Sequence, residues 1–334
     1  MTSDRPTLKT ISDLTGFART TVSRALGDAP DISEATKATI RHVADQVGYR
    51  PVAAGVRLRT GRTRTVALVL HANSEIMNHT ATLIGELSRF MGAANYDLIV
   101  KPFGPGTDPI EPVKHVVRSG SADGIVLNQT LPNDPRVRYL ARIGMPFVTH
   151  GRTACGIDHA YVDFDNRGFA RRVADCLRAR GRRSILLIPP PRAQLYASEM
   201  IAGLEAGLGP GMALRVIAGS HIDDSRDRVR AAFEDDFARH GLPDAIYCPA
   251  PMAAIEAVSV ASAMGGVLGE TYDLVCKEGL PLVARCFPKA ITAREDVTSA
   301  CQIIAKAMLQ AIEQPDAPPI RFLDAGPPVE GPAL

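Results

Sequence analysis

From Val66 onward, short apolar runs alternate with longer amphipathic stretches, and this alternation constrains the fold more than any other feature of the chain. The apolar runs are Val66–Leu70, Leu98–Val100, Gly124–Leu127, Phe147–Thr149, Tyr161–Phe164, Ile185–Ile188, Leu214–Ile217, Ala245–Cys248, Leu274–Cys276 and Leu282–Ala284. Helix-period segments separate many of them, for example Thr80–Ala94, Arg136–Ile143, Asn166–Arg180, Asp224–His240, Met252–Met264 and Asp296–Glu313. A strand, a helix and a further strand in repetition build a parallel sheet covered by helices on both faces. Ten strands are many for one open sheet and suit two. The expected fold class is therefore α/β, with two doubly wound parallel-sheet lobes at approximately 65–163 plus a C-terminal segment and 164–290. The proline-rich tail from Pro315 is expected to end irregularly.

The first sixty or so residues follow a different pattern. Leu8, Ile11 and Leu14 recur at helical spacing, and Gly16 punctuates them. A second short helix, about Arg19 to Leu26, would turn Val22, Ala25 and Leu26 inward. Gly27-Asp28-Ala29-Pro30-Asp31 is a turn by composition, and Ser33 caps a third helix that Gly48 closes. Pro51–Leu58 is a further helical segment, weakened by Gly55 at about 1 kcal/mol relative to alanine. Residues 1–64 carry eleven Lys/Arg against six Asp/Glu, a balance of +5, and the remainder balances at −3. Two short helices joined by a tight turn form a helix-turn-helix, whose second helix can enter a major groove. Here its exposed side offers Arg19, Thr20, Thr21, Ser23 and Arg24, groups able to read base edges or phosphates. The domains expected are a headpiece over 1–50, a hinge and linker over 51–64, and a core over 65–334.

The run Leu8-Lys9-Thr10-Ile11-Ser12-Asp13-Leu14-Thr15-Gly16-Phe17-Ala18-Arg19-Thr20-Thr21-Val22-Ser23-Arg24-Ala25-Leu26 resembles the headpiece of the LacI/GalR (lactose-repressor/galactose-repressor) family of bacterial transcription regulators. The likeness continues through Ile32–Thr36, Val47–Pro51 and Arg57–Thr63, and more loosely through the core, which in that family resembles a periplasmic sugar-binding protein. The resemblance implies a sequence-specific regulator, a repressor controlled by a small-molecule effector between the lobes, acting as a homodimer on palindromic double-stranded operator DNA. An activating or effector-independent regulator with a degenerate sugar site remains the alternative. By the same resemblance Leu8, Arg19, Thr20, Thr21, Ser23, Arg24, Ser33 and Thr36 would contact DNA, and Leu58 would wedge into the minor groove. Three positions depart from the family: Ala18 replaces a serine or threonine, Val52 an asparagine, and Gly55 an alanine.

In a two-lobed α/β core the ligand sits at the carboxyl ends of strands. Polar residues just after strands are therefore the candidates for effector binding: His71, Asn73, Asn128, His150, Arg152, and Asp165 with Asp163 before it. The resemblance places Asn128 at an effector-contact position. It also implies that an arginine and an aspartate that hold sugar hydroxyls are missing, since Met200 and Pro249-Ala250 stand at their positions. Met200 and Ala250 would make one wall more apolar, and His150 and Arg152 would substitute for the lost pair. Pro146–Arg152, with Asn133-Asp134-Pro135, looks like the α-glucoside-transport regulators of the family; the effector is expected to be a carbohydrate, and the more apolar wall suits an oligosaccharide or glycoside better than a monosaccharide.

Other classes fit poorly. There is no phosphate-binding Gly-x-x-x-x-Gly-Lys, no Gly-x-Gly-x-x-Gly after a strand, and no His-Glu-x-x-His. Gly120-Ser121-Ala122-Asp123-Gly124 places its serine one position too early for a nucleophile elbow. No enzyme activity and no cofactor is expected. The six cysteines form no Cys-x-x-Cys pair, and no metal-ligand spacing is visible, so no metal is expected. A transported-solute receptor would share the core fold, but the N-terminus shows no apolar signal segment and the head argues for DNA. No apolar run approaches the roughly 18 residues of a membrane span. The expectation is a cytoplasmic protein without a membrane partner.

Overall fold

The computed structural model describes residues 6–49, 61–71, 77–104 and 106–330. Leu58, the expected hinge leucine, and the candidate Asn73 lie outside the described residues. The chain divides after Thr63 into two compact units.

The first unit holds α1 (Leu8–Thr15), α2 (Arg19–Leu26) and α3 (Glu34–Gln46). Thr7 and Thr10 cap α1 reciprocally, and Ser33 Oγ accepts from Thr36 N to start α3. Gly16 ends α1 at φ +74°, a left-handed conformation that favours glycine. Ser12 Oγ donates to the Phe17 carbonyl across the same turn. Ala18 precedes α2 with no side-chain cap, so the departure noted in the sequence leaves that helix start unsatisfied, at about 1 kcal/mol relative to serine or threonine. Ile11, Val22, Ala25, Ile40 and Ala44 are buried together, and Leu8, Phe17, Leu26 and Tyr49 pack around them.

The second unit contains two wholly parallel sheets. One has the order β11-β5-β4-β3-β1-β2, with β1 (Thr65–His71), β2 (Asp97–Phe103), β3 (Gly124–Asn128), β4 (Phe147–His150), β5 (Ala160–Phe164) and β11 (Arg321–Asp324). The other has the order β10-β9-β8-β6-β7, with β6 (Ser184–Leu187), β7 (Ala213–Val216), β8 (Ala245–Cys248), β9 (Asp273–Glu278) and β10 (Ile291–Arg294). The helices are α4 (Met77–Ala93), α5 (Ile110–Ser119), α6 (Pro135–Ile143), α7 (Asn166–Ala179), α8 (Leu195–Gly207), α9 (Arg226–His240), α10 (Pro251–Ala263), α11 (Leu282–Cys286) and α12 (Val297–Glu313).

Strand periodicity explains why the apolar runs are continuous. In β1, Val66, Leu68 and Leu70 face one core while Ala67 and Val69 face another on the opposite side of the sheet. In β8, Ile246 and Cys248 face one core, and Ala245 and Tyr247 the other. Each such valine or leucine contributes about 1.5–3 kcal/mol of burial.

Three expectations need correction. Leu282–Ala284 is the start of the short helix α11, because Glu278 accepts from the backbone N–H groups of Val283 and Ala284 at 2.8 and 3.2 Å and fixes a helical turn there. So brief an apolar run has no period that could separate the two states. The second sheet runs to Arg294, past the limit of 290, because β10 pairs with β9 in parallel. The tail is not wholly irregular: Arg321–Asp324 adds an edge strand beside β5. After β10 the chain returns to the first sheet, where α12 packs, and Val329 then lies against a core of the second.

Candidate ligand cleft and DNA-reading helix

In the first unit Arg19, Thr20 and Arg24 are exposed on α2, with Thr21 and Ser23 half-buried beside them. Arg24 forms an ion pair with Asp31, so any phosphate would compete with that carboxylate for it. Ser33 and Thr36 lie at the start of α3, their hydroxyls 2.9 Å apart. Leu8 packs on the head's core, so only its backbone, in the first turn of α1, can offer a polar contact. Acidic residues partly neutralise α3: Asp28 ties Lys37 at 3.0 Å and Arg41 at 2.8 Å.

In the second unit a cleft opens where the strand ends of the two sheets meet. The first lobe contributes Asn128 at the end of β3 with Gln129 and Thr130 after it, His150 at the end of β4 with Gly151 and Arg152 after it, and Asp163 of β5. The loop after β3 is held from behind by a buried ion pair. Arg136 lies 2.9 and 2.7 Å from the two oxygens of Asp134 and also donates to the carbonyls of Asn128 and Gln129. Burial alone would raise the Asp134 pKa, but the guanidinium and the N–H groups of Leu131 and Arg136 outweigh it and hold it below the usual carboxylate value. Asn128 Oδ1 accepts from Gln129 N at 2.8 Å, leaving its amide nitrogen as a donor toward the cleft. Gly151, at φ +110°, passes so close to Thr130 that a Cβ would stand 2.6 Å from Oγ1.

Arg152 is already engaged. Its Nε donates to Asp163 Oδ2 at 2.7 Å, and one terminal nitrogen bridges both Glu199 oxygens at 2.9 and 3.0 Å. Burial pushes the Asp163 and Glu199 carboxyls upward against the pull of Arg152. From the second lobe come Leu195, Tyr196, Ile222, Ala250 and Met252, a largely apolar wall, and Lys277. The Lys277 ammonium lies 2.9 Å from Glu295, 3.4 Å from Asn166 Oδ1, and 4.3 Å above the Phe164 ring.

His79, from the first turns of α4, stacks on His150 with ring centroids 5.6 Å apart and planes 8° apart. Burial pushes His150 down to about 4, with His79 and Lys277 adding and Glu295 opposing. Burial likewise lowers His79. Burial alone would raise Glu295, but Lys277 and the two imidazoles hold it at about 2. At neutral pH the two imidazoles are therefore neutral and Glu295 is a carboxylate.

Asn128, His150 and Arg152 come together at this cleft, whereas His71 and Asp165 do not line it. His71 shares the face of Val69 and sets its ring edge-on to Phe103 at 5.1 Å. Asp165 caps α7 by accepting from Gly168 N at 2.9 Å. Met200 is fully buried in the core of the second lobe, so only Ala250 of the two apolar replacements faces the cleft. The sequence reading passed over His79, Tyr196, Lys277 and Glu295. Lys277 follows the recognised run Leu274–Cys276, so the rule of looking after strands would have found it. Glu295 follows β10, which was not recognised as a strand. His79 and Tyr196 lie on helices and carry no local signal.

A short helix presenting polar residues, joined to a two-lobed core with a cleft at its strand ends, defines a ligand-responsive DNA-binding regulator of transcription. Residues 7–52 match the bacterial regulatory proteins of the lacI family, and residues 102–273, more than half of the chain, match the periplasmic binding proteins and sugar binding domain of the LacI family. The chain belongs to the LacI family. It is 27% identical over 312 residues to the HTH-type transcriptional regulator AglR of Rhizobium meliloti, covering 91% of this chain and 87% of that one. To the HTH-type transcriptional regulator CelR of Thermobifida fusca it is 25% identical over 326 residues, 96% and 95% of the two chains. Among solved structures, a CelR–cellobiose complex aligns at TM-score 0.69 with 23% identity over 96% of this chain and 97% of that one. The lac repressor dimer bound to operator and an anti-inducer aligns at 0.82 with 16% identity over 98% of each. Both of these relatives, AglR and CelR, are named as transcriptional regulators. Among the described residues no helix is long and apolar enough to cross a membrane.

Proposed function

We propose that this regulator is a repressor that reads a palindromic operator as a homodimer and responds to a glycoside held in the cleft. The observation that carries the reading is the asymmetry of the cleft. Hydrogen-bonding groups converge from the ends of β3, β4 and β5, and an apolar wall of Leu195, Ile222, Ala250 and Met252 faces them. A glycoside presents hydroxyls to the first side and an apolar ring face or aglycone to the second. The likeness to CelR, a protein solved with cellobiose, supports the same class of ligand. A ligand touching both lobes favours one lobe arrangement by its differential affinity, and that bias is what reaches the operator.

The experiment is a titration of operator binding, on DNA taken from upstream of the protein's own gene, against a panel of monosaccharides, disaccharides and glycosides. A disaccharide or glycoside should change operator affinity most. A bare monosaccharide acting more strongly would reject the reading of the apolar wall. Asn128→Ala should weaken binding of that ligand about tenfold, the worth of one buried hydrogen-bonding partner at about 1–3 kcal/mol, while operator affinity without ligand stays unchanged. Calorimetry with the effective ligand checks this, and an unaltered dissociation constant removes Asn128 from the site.

Arg19 and Thr20 carry base choice in this proposal. Thr20→Ala should alter preference at one operator position by about 1–3 kcal/mol, whereas Arg24→Ala should weaken binding evenly across sequences. Selection from a randomised operator pool reads both. A Thr20→Ala profile identical to that of the parent would mean that α2 docks in another orientation.

A further inference from the structure

We propose that His79, His150 and Glu295 form a binding site for one divalent transition-metal ion in the cleft, with an open coordination position turned toward the ligand space. The three residues come from separate elements: the first turns of α4, the end of β4, and the segment leaving β10. Each offers a donor atom, and the three donors lie within 4.8 Å of one another. With metal–ligand bonds of about 2.0–2.2 Å, donors around a tetrahedral ion sit about 3.3–3.6 Å apart, so closure needs combined side-chain shifts of up to about 1.5 Å.

The pairing of the two histidines needs an explanation that packing does not give. His150 Nδ1 is buried with no hydrogen-bond partner among the described residues, a state that is rare in native proteins and costly unless something binds there. The near-parallel rings bring an imidazole nitrogen of each histidine to one place, beside the Glu295 carboxylate. Two imidazoles and one carboxylate suit borderline divalent ions such as Zn²⁺ or Co²⁺ better than Ca²⁺ or Mg²⁺, which take oxygen donors. All three residues line the cleft, so solvent or a ligand oxygen can fill the remaining positions.

Lys277 makes the proposal sharper. Its ammonium holds Glu295 Oε2 at 2.9 Å from the second sheet. An ion and Lys277 would compete for the same carboxylate, so the lysine should weaken metal binding and the ion should loosen the Lys277–Glu295 contact. A purely structural cluster predicts the opposite for the lysine: removing it would only harm the fold.

The inference shares the cleft with the glycoside reading but does not depend on it, because the test reads the ion directly and needs no effector. The full chain, stripped with a chelator, is titrated with Co²⁺ by visible absorption and with Zn²⁺ by calorimetry. One ion per chain is expected at micromolar concentration. His150→Ala and Glu295→Gln should each lower affinity tenfold or more, and Lys277→Met should raise it severalfold. If Glu295→Gln fails to fold, His79→Ala, on helix α4, carries the same expectation. No binding at micromolar metal overturns the proposal. So does binding that is unchanged in these variants, which would place the ion elsewhere, for instance on the exposed Cys286.

Discussion

Arg136→Ala is expected to destabilise the second unit by about 3–5 kcal/mol, the usual consequence of removing one partner from a buried ion pair. Arg136 is 1% exposed and Asp134 is fully buried. Without the guanidinium, Asp134 would have to stay charged in an apolar surrounding or take up a proton, and the carbonyls of Asn128 and Gln129 would lose their donor. The sign with pH follows. In the parent the Asp134 pKa is lowered, so the pair contributes stability above the carboxyl's unfolded value and loses it as pH falls through the folded one. In Arg136→Ala burial is opposed only by the backbone N–H groups of Leu131 and residue 136, so that pKa should rise relative to the parent, and the variant should be least stable relative to the parent at neutral pH and recover part of the difference in acid. Arg136 Nη1 is buried with no hydrogen-bond partner among the described residues, so the pair is not fully compensated there, and replacing both residues by leucine should cost less than replacing one. Urea unfolding at two pH values checks all three statements. A single-variant loss below about 1 kcal/mol would show that water reaches the pair.

The head was legible because its determinants are local. Gly16, Ser33 and the spacing of Ile11, Val22 and Ala25 act within a few residues, and α2 spans Arg19–Leu26 as the pattern predicts. The parallel sheets were legible because strands buried on both faces show as unbroken apolar runs. What the letters could not show is direction and distance. His71 and His150 both end strands, yet His71 points with Val69 toward one core while His150 reaches the cleft. Strand parity together with knowledge of which face is which decides between them, and only the assembled sheet supplies the second. Asp165 differs for another reason: an aspartate that opens a helix is occupied as its cap. Met200 looked like a lost contact, but helical phase turns it into the core beside Phe169 and Leu204. The His79–His150–Glu295–Lys277 cluster joins residues far apart in sequence, and no spacing rule reaches across such separations.

The largest functional effect expected is that of removing the head. A chain beginning at Arg64 keeps the contacts that close the N-terminal edge of the core: Arg64 N donates to Asp123 Oδ2 at 2.9 Å, and Asp97 N donates to the Arg64 carbonyl at 2.8 Å. The two units have separate cores, so this truncation should fold and bind ligand as the full chain does. Its charge balance is negative, whereas the head carries the surplus of Lys/Arg. Specific operator binding exceeds non-specific binding by about 10³-fold or more, and without α2 that whole margin should vanish. What remains should be no binding at all, since an acidic core gains nothing by releasing counterions from DNA. The full chain, in contrast, should lose affinity steeply as salt rises. Fluorescence anisotropy with labelled operator at several salt concentrations reads both chains. Operator binding by the truncated chain within tenfold of the parent would mean that α2 is not the DNA-reading element, and the roles of Arg19 and Thr20 would fall with it.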